Sequence, residues 1–233
     1  MLIRRHDAPI DPDHEWRELL KAQPFGTLIA PGVGRDLPVV VPTHVHFDGD
    51  STILLHLARS NPVWKALREN SRCMFSVVTA VAYIPTSWEA PPGTSPEWGI
   101  PTSHYAAVQL ACTAVETDEP GEIREYLSHQ LATMQPDELF GDPLSDEAPY
   151  LDELRRIRGL RLDINDVRAK FKFDGAEPDS VRQQVVAGYT DRDLPDDRSI
   201  MRAVVREADQ NLGVYATVVT PGTIAEGDQL AFT

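Results

Sequence analysis

Six short segments rich in β-branched and aromatic residues constrain the fold of this chain more than any other feature. They are separated by turn-forming stretches such as PGVGRD and DGDS, and this alternation is typical of strands. They are FGTLIAP (25–31), LPVVVPTHVHF (37–47), TILLHL (52–57), CMFSVVTAVAYI (73–84), HYAAVQLACTAVE (104–116) and GLRLDINDVRAKFKFD (159–174). The first three follow one another closely and predict an antiparallel meander. We expect the last to form two β segments around Asn165 and Asp166.

Helical patterns lie between and after these segments. They are DPDHEWRELLKAQ (11–23), SNPVWKALREN (60–70), EPGEIREYLSHQLATMQ (119–135), EAPYLDELRRI (147–157), PDSVRQQVVAGY (178–189) and DRSIMRAVVREAD (197–209). The sequence therefore predicts an α+β fold, in which a β-barrel of about six strands carries helical insertions and a helical C-terminal appendage.

The charge balance argues against nucleic acid as a partner. The formal net charge is −14, so a polyanion would meet repulsion over most of the surface. Arg155, Arg156, Arg158 and Arg161 form a local basic cluster. We interpret it as solvated helix-end charge paired with Asp152, Glu153 and Asp163. There is no apolar run of about 18 residues and no apolar signal-peptide core. We therefore expect a cytoplasmic protein with no membrane segment.

The two cysteines, Cys73 and Cys112, each lie in an apolar stretch, as buried thiols usually do. We expect both to be inert core residues. No CxxCH motif is present, which excludes a covalently attached c-type haem.

The segment from His56 to Pro62 is the first candidate site. A strand here leads into a helix, and Arg59, Ser60 and the free backbone N–H groups of the helix start would suit an anionic group. The residues alone leave two alternatives open, namely that His56 is a hydrogen-bonded barrel residue and that Arg59 is a structural ion-pair partner. His44 and His46 also share a strand face, but two imidazoles without further ligands do not complete a zinc site.

The Pro- and Gly-rich loop of residues 85–103 is the second candidate. Long loops in compact domains are usually functional or disordered, and its aromatic residues argue against disorder. Trp88 could cover a planar cofactor, Thr102 and Ser103 could hydrogen-bond a small polar substrate, and Glu89 could hold an ammonium group. The alternative is a packed surface loop with a solvated His104.

Five stretches of the chain, PFGTLIA, LLHLARSNPVWKAL, AYIPTSWEA, IPTSHYAAVQ and GLRLDINDVRAKFKF, resemble the PaiB-like family of FMN-binding proteins, in the family's order. The resemblance covers about residues 1–175. It implies a split β-barrel that dimerises with a cofactor at the subunit interface. We therefore expect residues 1–175 to form a split-barrel cofactor-binding domain. Residues 176–233 would form a C-terminal helical extension and tail packed on the barrel or on the dimer partner.

Two departures separate this chain from the flavin-binding members. Where those members carry PTWNY and KxSQN elements, this sequence has Pro101-Thr102-Ser103-His104-Tyr105 and Lys172-Phe173-Asp174-Gly175. Asp174 adds negative charge where a flavin phosphate would lie. The chain is more similar to a haem-dependent branch of the fold, the piperazate synthases, which convert L-N5-hydroxyornithine to L-piperazic acid. The resemblance therefore implies haem b, with FMN as the alternative.

The resemblance to piperazate synthases also implies roles for individual residues. His56 would be the haem iron ligand, and Arg59 and Ser60 would hold a propionate or order the pocket. Trp88 and Lys172 would contact the cofactor, and Glu89, Thr102 and Ser103 would bind the substrate. Ser103, His104 and Tyr105 would be the catalytic residues, with His104 or Tyr105 protonating the leaving hydroxyl while the substrate amine attacks the hydroxylamine nitrogen.

Overall fold

A computed structural model of the protein describes residues 1–137, 139, 141–144 and 154–191. The strands are β1 (Phe25–Ala30), β2 (Val39–His44), β3 (His46–Phe47), β4 (Thr52–Ala58), β5 (Arg72–Ile84), β6 (Thr102–Thr117) and β7 (Ile157–Lys172). The α-helices are α1 (Glu15–Ala22), α2 (Val63–Glu69), α3 (Thr86–Glu89), α4 (Pro120–Met134) and α5 (Asp179–Asp191). Arg5–Asp7 and Pro96–Trp98 form single 3-10 turns.

The seven strands form one antiparallel sheet in the order β2-β1-β5-β6-β7-β4-β3. Its two edge strands are consecutive in sequence, because β2 ends at His44 and β3 begins at His46. Only the buried Val45 joins them. The opposite edges of the sheet must therefore meet at this residue, so the sheet curls into a barrel and leaves only short edges. The predicted α+β barrel fold is confirmed.

The barrel interior follows from the two-residue period of the strands. In β4, alternate residues Ile53, Leu55 and Leu57 point into the core, whereas His56 lies on the opposite face. Phe75 and Leu110 make the same contribution from β5 and β6. This alternation decides which polar side chains face the helices that pack outside the barrel.

The last predicted β pattern is one continuous strand, so the prediction of two segments around Asn165 and Asp166 was wrong. The register of β7 against β6 passes from Asp166 opposite Ala111 to Ile164 opposite Cys112. Asn165 is left over as a β-bulge, and a bulge bends a strand without ending it. The Asn165 side chain accepts a hydrogen bond from the Thr113 hydroxyl at 2.8 Å, which offsets the interrupted ladder.

The arginine cluster also lies differently from the prediction. Arg158 and Arg161 belong to strand β7 and not to a helix end. Arg158 pairs with Asp118 at 2.7 Å and with Glu116 at 2.9 Å, and Arg161 pairs with Asp163 at 3.0 Å. The predicted pairing with Asp163 is thus confirmed for Arg161, whereas the partners of Arg158 differ from those predicted. The other two predicted partners, Asp152 and Glu153, lie outside the described residues. Most of the predicted helix 147–157, and all of 197–209, lie outside the described residues.

Helix α5 packs against α3 and the residue that follows it. The Gln184 side-chain amide donates to the backbone carbonyls of Trp88 at 2.9 Å and Ala90 at 3.0 Å. Gly188 lies directly against the Trp88 ring, and an added Cβ would come within 2.2 Å of it. The absence of a side chain at Gly188 is what permits this close helix contact. The next residue, Tyr189, is thereby directed towards the barrel.

Both cysteines are buried and free, and they face one another across β5 and β6. Burial raises the pKa of each thiol to about 12, so neither is a reactive thiolate near neutral pH. Within the described ranges, none of the helices is both long and apolar enough to cross a bilayer.

Candidate functional site

His56 lies on the outer face of β4, partly buried beneath helix α4. Its Nδ1 is 2.6 Å from the side-chain Oε1 of Gln130. Burial lowers the pKa of His56, and the hydrogen bond to Gln130 opposes that shift in part. The imidazole is therefore neutral at neutral pH, the form in which histidine binds metal ions.

The partner of His56 is itself fixed in place. Gln130 occupies the buried face of α4, in line with Ile123 and Tyr126, and is 5% exposed. Its amide nitrogen donates to the backbone carbonyl of His44 at 3.1 Å, so its oxygen must be the group that faces His56. A carbonyl oxygen only accepts hydrogen bonds, hence His56 carries its proton on Nδ1. The lone pair is left on Nε2, which is the arrangement that outer-shell partners impose on metal-binding histidines.

The residues after His56 form an exposed turn. Arg59 pairs with Asp118 at 2.6 Å, and the Ser60 side chain is exposed. Asn61 accepts a hydrogen bond from the backbone N–H of Val63 at 3.0 Å, so it caps the start of α2. The ion pair is the structural alternative for Arg59 that the sequence left open.

A second histidine, His104 of β6, lies in an acidic setting. It is 1% exposed, and both ring nitrogens are engaged. Nε2 is 2.5 Å from the carboxylate of Asp174, and Nδ1 is 2.9 Å from the hydroxyl of Tyr189. Neighbouring strand residues point to the other side, since Ser103 is exposed and Tyr105 lies against Lys170. The three predicted catalytic residues are thus divided between two faces of β6.

Glu89, the last residue of α3, completes this acidic group. Burial raises the pKa of Glu89 to about 7, and the carboxylates of Asp174 and Glu177 act in the same direction while Lys172 opposes them. One oxygen atom from Glu89, one from Asp174 and one nitrogen of His104 lie within 4.8 Å of one another. The three side chains form what we call the acidic centre.

Asp174 reaches the acidic centre from an unusual backbone conformation. It lies just after β7 with φ of 58°, in the left-handed region that aspartate tolerates better than most residues. Its side chain is 8% exposed. Since left-handed residues other than glycine cost free energy, their presence in a buried polar cluster is typical of functional sites.

Lys172 and Trp88, both predicted to contact a cofactor, are held by neighbours in the chain. The Lys172 ammonium donates to the Thr102 hydroxyl and to the Ser103 carbonyl, the latter at 2.8 Å. The Trp88 ring packs edge-on against Tyr189, with centroids 5.5 Å apart. Both side chains therefore support the walls of the acidic centre.

A cavity of about 410 Å³ opens beside the acidic centre. Its wall contains four acidic residues and the cations Arg4 and Lys172. The acidic residues are Asp7, Glu89, Asp174 and Glu177, and the other lining residues are His6, Pro91, Trp98, Ile100, Pro101, Thr102 and Ala176. Carboxylates outnumber the permanent cations of the wall, so the cavity favours a cationic or neutral guest over a phosphate.

The two histidine regions lie near opposite ends of β7. His56 is opposite Gly159, whereas Tyr105, next to His104, is opposite Lys172 at the other end of that strand. A 16-residue strand spans roughly 50 Å when extended. Within one chain, the predicted iron ligand and the predicted catalytic residues are therefore not brought together.

His46 and His129 form a stacked pair, in which His46 lies on β3, the strand next to β4, and His129 lies on α4, the helix of Gln130. His46 stacks on His129 of α4 with centroids 4.8 Å apart, and its Nδ1 is 3.0 Å from the Thr133 hydroxyl. His44, at the end of β2, packs against Phe25 instead. The expectation that His44 and His46 do not by themselves make a zinc site stays a prediction.

Sequence reasoning missed Gln130 and Tyr189. A glutamine on the otherwise apolar face of α4 was a usable signal, because buried polar groups need a partner. Tyr189 carried no such signal, since an aromatic residue on an amphipathic helix usually indicates core packing.

A family model described as "Putative FMN-binding domain" matches residues 1–166 of the chain. Among curated proteins, none matches the sequence.

Solved structures share the fold at low sequence identity. A conserved hypothetical protein from Mycobacterium tuberculosis has a TM-score of 0.53 at 16% identity, over 76% of this chain and 94% of its own. A flavocytochrome from Azotobacter vinelandii has a TM-score of 0.51 at 18% identity, over 71% and 76%. An FAD and haem binding protein from Mycobacterium smegmatis has a TM-score of 0.50 at 18% identity, over 93% and 90%. At this level of identity, the likeness shows a shared fold.

Proposed function

The chain belongs to the family of FMN-binding domains, and on this premise we propose that it is a haem-dependent enzyme that forms an N–N bond. The reaction is the cyclisation of L-N5-hydroxyornithine to L-piperazic acid with loss of one water. It needs no external oxidant or reductant, because the hydroxylamine nitrogen that is reduced and the amine nitrogen that is oxidised belong to the same molecule.

The observation that carries this proposal is the hydrogen bond between His56 and Gln130. A neutral imidazole that carries its proton on Nδ1 and its lone pair on Nε2 would suit a ligand of haem iron. The acidic centre disfavours the flavin alternative, because Asp174 is a buried carboxylate near the position where a flavin phosphate is expected.

Bound haem would supply a Lewis-acidic iron that polarises the N–O bond of the hydroxylamine. The chain itself would hold the cofactor through His56. Arg59 would exchange its exposed ion pair with Asp118 for a propionate, and Ser60 would support the same group. Exposed ion pairs contribute little, so this exchange costs little free energy.

The remaining roles require a second copy of the chain, because His56 and β6 residues 102–105 are far apart within one. We propose a homodimer with the cofactor at the interface. Three apolar residues of β5 support it, since Val78, Val81 and Tyr83 are 58%, 66% and 65% exposed. In the dimer, Thr102 and Ser103 would hydrogen-bond the substrate, and Tyr105 would protonate the leaving hydroxyl.

FMN binding is the second candidate, and the family model is the observation that favours it. It would make the protein a flavin reductase-like enzyme or a regulator. The two candidates differ in colour, because haem gives a sharp Soret band and flavin gives broad yellow absorption that is released on denaturation.

The proposal is tested by incubating the haem-loaded, full-length protein with L-N5-hydroxyornithine and analysing the products by mass spectrometry. We expect a cyclic product that is one water lighter than the substrate, and none with His56→Ala. Absence of the cyclic product at every pH tested, from a protein that holds haem, would contradict the proposed reaction.

A further inference from the structure

The acidic centre gathers three metal-ligating side chains from three separate elements. Glu89 ends α3, His104 lies in β6, and Asp174 follows β7. One ligand atom from each lies within 4.8 Å of the other two. The imidazole and the Asp174 carboxylate are already in direct contact at 2.5 Å. The side chains of His104 and Asp174 are 1% and 8% exposed, and Glu89 as a residue is 9% exposed.

An unpartnered atom points independently to a missing ligand. The Oε1 atom of Glu89 is buried and, within the described part of the chain, has no hydrogen-bond partner. Glu89 as a whole is 9% exposed. Buried carboxylate oxygens are normally satisfied by hydrogen bonds or by coordination to a cation. The Lys172 ammonium donates hydrogen bonds elsewhere, to the Thr102 hydroxyl and the Ser103 carbonyl.

His104 has the outer-shell partner that a metal-binding histidine needs. Its Nδ1 is 2.9 Å from the Tyr189 hydroxyl, which can accept a hydrogen bond as well as donate one. With Nδ1–H donating to Tyr189, the lone pair of Nε2 faces the two carboxylates. This is the usual arrangement of an imidazole that coordinates a metal ion.

We propose that Glu89, His104 and Asp174 bind a divalent transition-metal ion of the zinc class. One imidazole and two carboxylates are ligands that such ions accept, and the double negative charge of the carboxylates matches a dication. Three protein ligands leave a fourth position, and the 410 Å³ cavity lined by Glu89 and Asp174 gives water or a small ligand access to it.

The geometry favours a metal ion over the ammonium group of a substrate. In a tetrahedral site with bonds of about 2.0 Å, two ligand atoms lie about 3.3 Å apart. Nε2 of His104 and the Asp174 oxygen, now 2.5 Å apart, would therefore need to separate only slightly. An alkylammonium needs a larger separation and a path for its carbon chain through the buried centre. The proposal therefore replaces the role of substrate binding predicted for Glu89, and it goes beyond the proposed function.

The test is Zn²⁺ binding to the full-length, haem-free protein after chelator treatment, measured by equilibrium dialysis and calorimetry. We expect one Zn²⁺ per chain and a higher midpoint of thermal unfolding in its presence. Glu89→Gln and Asp174→Asn should each weaken the affinity by about 100-fold or more. Tyr189→Phe removes only the acceptor for Nδ1–H and should weaken it by about 10-fold.

The matched control is His129→Ala, which removes one imidazole of the stacked His46–His129 pair outside the acidic centre and should leave the affinity for Zn²⁺ unchanged. The proposal is overturned if no Zn²⁺ binds at a 1:1 ratio. It is equally overturned if binding is lost in His129→Ala but kept in Glu89→Gln, or if ornithine raises the unfolding midpoint through Glu89 and Zn²⁺ does not. Should the carboxylate variants fail to fold, Tyr189→Phe carries the test.

The outcome is distinct from that of the proposed function. Glu89→Gln should retain a haem Soret band, because it leaves His56, the proposed iron ligand, and its partner Gln130 unchanged. His56→Ala should retain Zn²⁺ binding, because it leaves the three residues of the acidic centre unchanged.

Discussion

His56 and His104 are both enclosed imidazoles, yet their partners give them opposite chemistry. His56 faces the uncharged amide of Gln130, and burial keeps its ring neutral. His104 faces the Asp174 carboxylate and the Tyr189 hydroxyl, with Glu89 close by. The first setting fixes a single lone pair for one ligand bond. The second concentrates negative charge that only a proton or a metal cation can balance. The partner, and not the imidazole, therefore decides what each site binds.

The largest effect is expected from removing the partner of His56. Gln130→Leu deletes the acceptor for Nδ1–H, so the ring loses its fixed tautomer and orientation. Haem affinity should fall by about 10- to 100-fold, measured by titration of the Soret absorbance. Gln130→Glu keeps an acceptor oxygen and should retain most of the affinity. Equal affinities for Gln130→Leu and the wild type would mean that the amide has no role in positioning His56.

The acidic centre and the His56 region should respond to pH in opposite directions. Burial lowers the pKa of His56, so its contribution to stability is lost as the pH falls below the ordinary value of 6.5. The pKa of Glu89 is raised to about 7 in the folded protein, from an ordinary value of 4.5. A carboxyl group whose pKa is raised by folding stabilises the folded protein when the pH is below the pKa of the unfolded chain. This contribution is lost as the pH rises through the pKa of the folded protein. The metal-free protein should therefore lose on the order of 2 kcal/mol of unfolding free energy between pH 5 and pH 8.

Urea denaturation across this pH range measures the effect of Glu89. Glu89→Gln removes this titration and should lose less stability between pH 5 and pH 8. His56→Gln removes the opposing titration, so its loss over the same range should be steeper than that of the wild type. A slope that is unchanged in Glu89→Gln would show that other groups cause it.

A smaller effect is expected from tightening the contact between α5 and α3. Gly188→Ala places a methyl group against the Trp88 ring, at a cost of about 1–3 kcal/mol that a gain of about 1 kcal/mol in helix propensity partly offsets. Thermal unfolding should show a net loss of about 1 kcal/mol, and Tyr189 should move away from His104.

Gly121→Ala in α4 is the matched control for Gly188→Ala, because no atom lies within 4 Å of its added methyl group. It should be neutral or slightly stabilising. A loss as large as that of Gly188→Ala would indicate that the contact with Trp88 is not the cause.

The smallest change in stability is expected at Arg59. Its ion pair with Asp118 is exposed, so Arg59→Ala should alter the unfolding free energy by less than about 1 kcal/mol. Haem affinity should nevertheless fall if Arg59 holds a propionate. Stability and affinity that fall together would favour the structural role that the sequence left open, and unchanged affinity would remove Arg59 from the cofactor site.

Local patterns in the sequence predicted most of the strands and helices, because side-chain periodicity depends only on near neighbours. The segment 37–47, predicted as one strand, is divided at Val45 into β2 and β3. Local patterns could not predict barrel closure, which depends on β2 and β3 lying at opposite sheet edges around Val45. Glu89 and His104 stood out by residue type, and Asp174 by its departure from the family pattern. Their meeting depends on the ends of α3, β6 and β7 converging, and no local spacing encodes that convergence. The same holds for Gln130 beneath β4.

The absorption spectrum of the full-length protein supplied with haem tests directly whether His56 is an iron ligand held by Gln130. We expect a sharp Soret band for the wild type and for His104→Ala, and its loss in His56→Ala. A Soret band of equal strength in His56→Ala, or a purified protein that carries flavin and takes up no haem, would contradict this assignment.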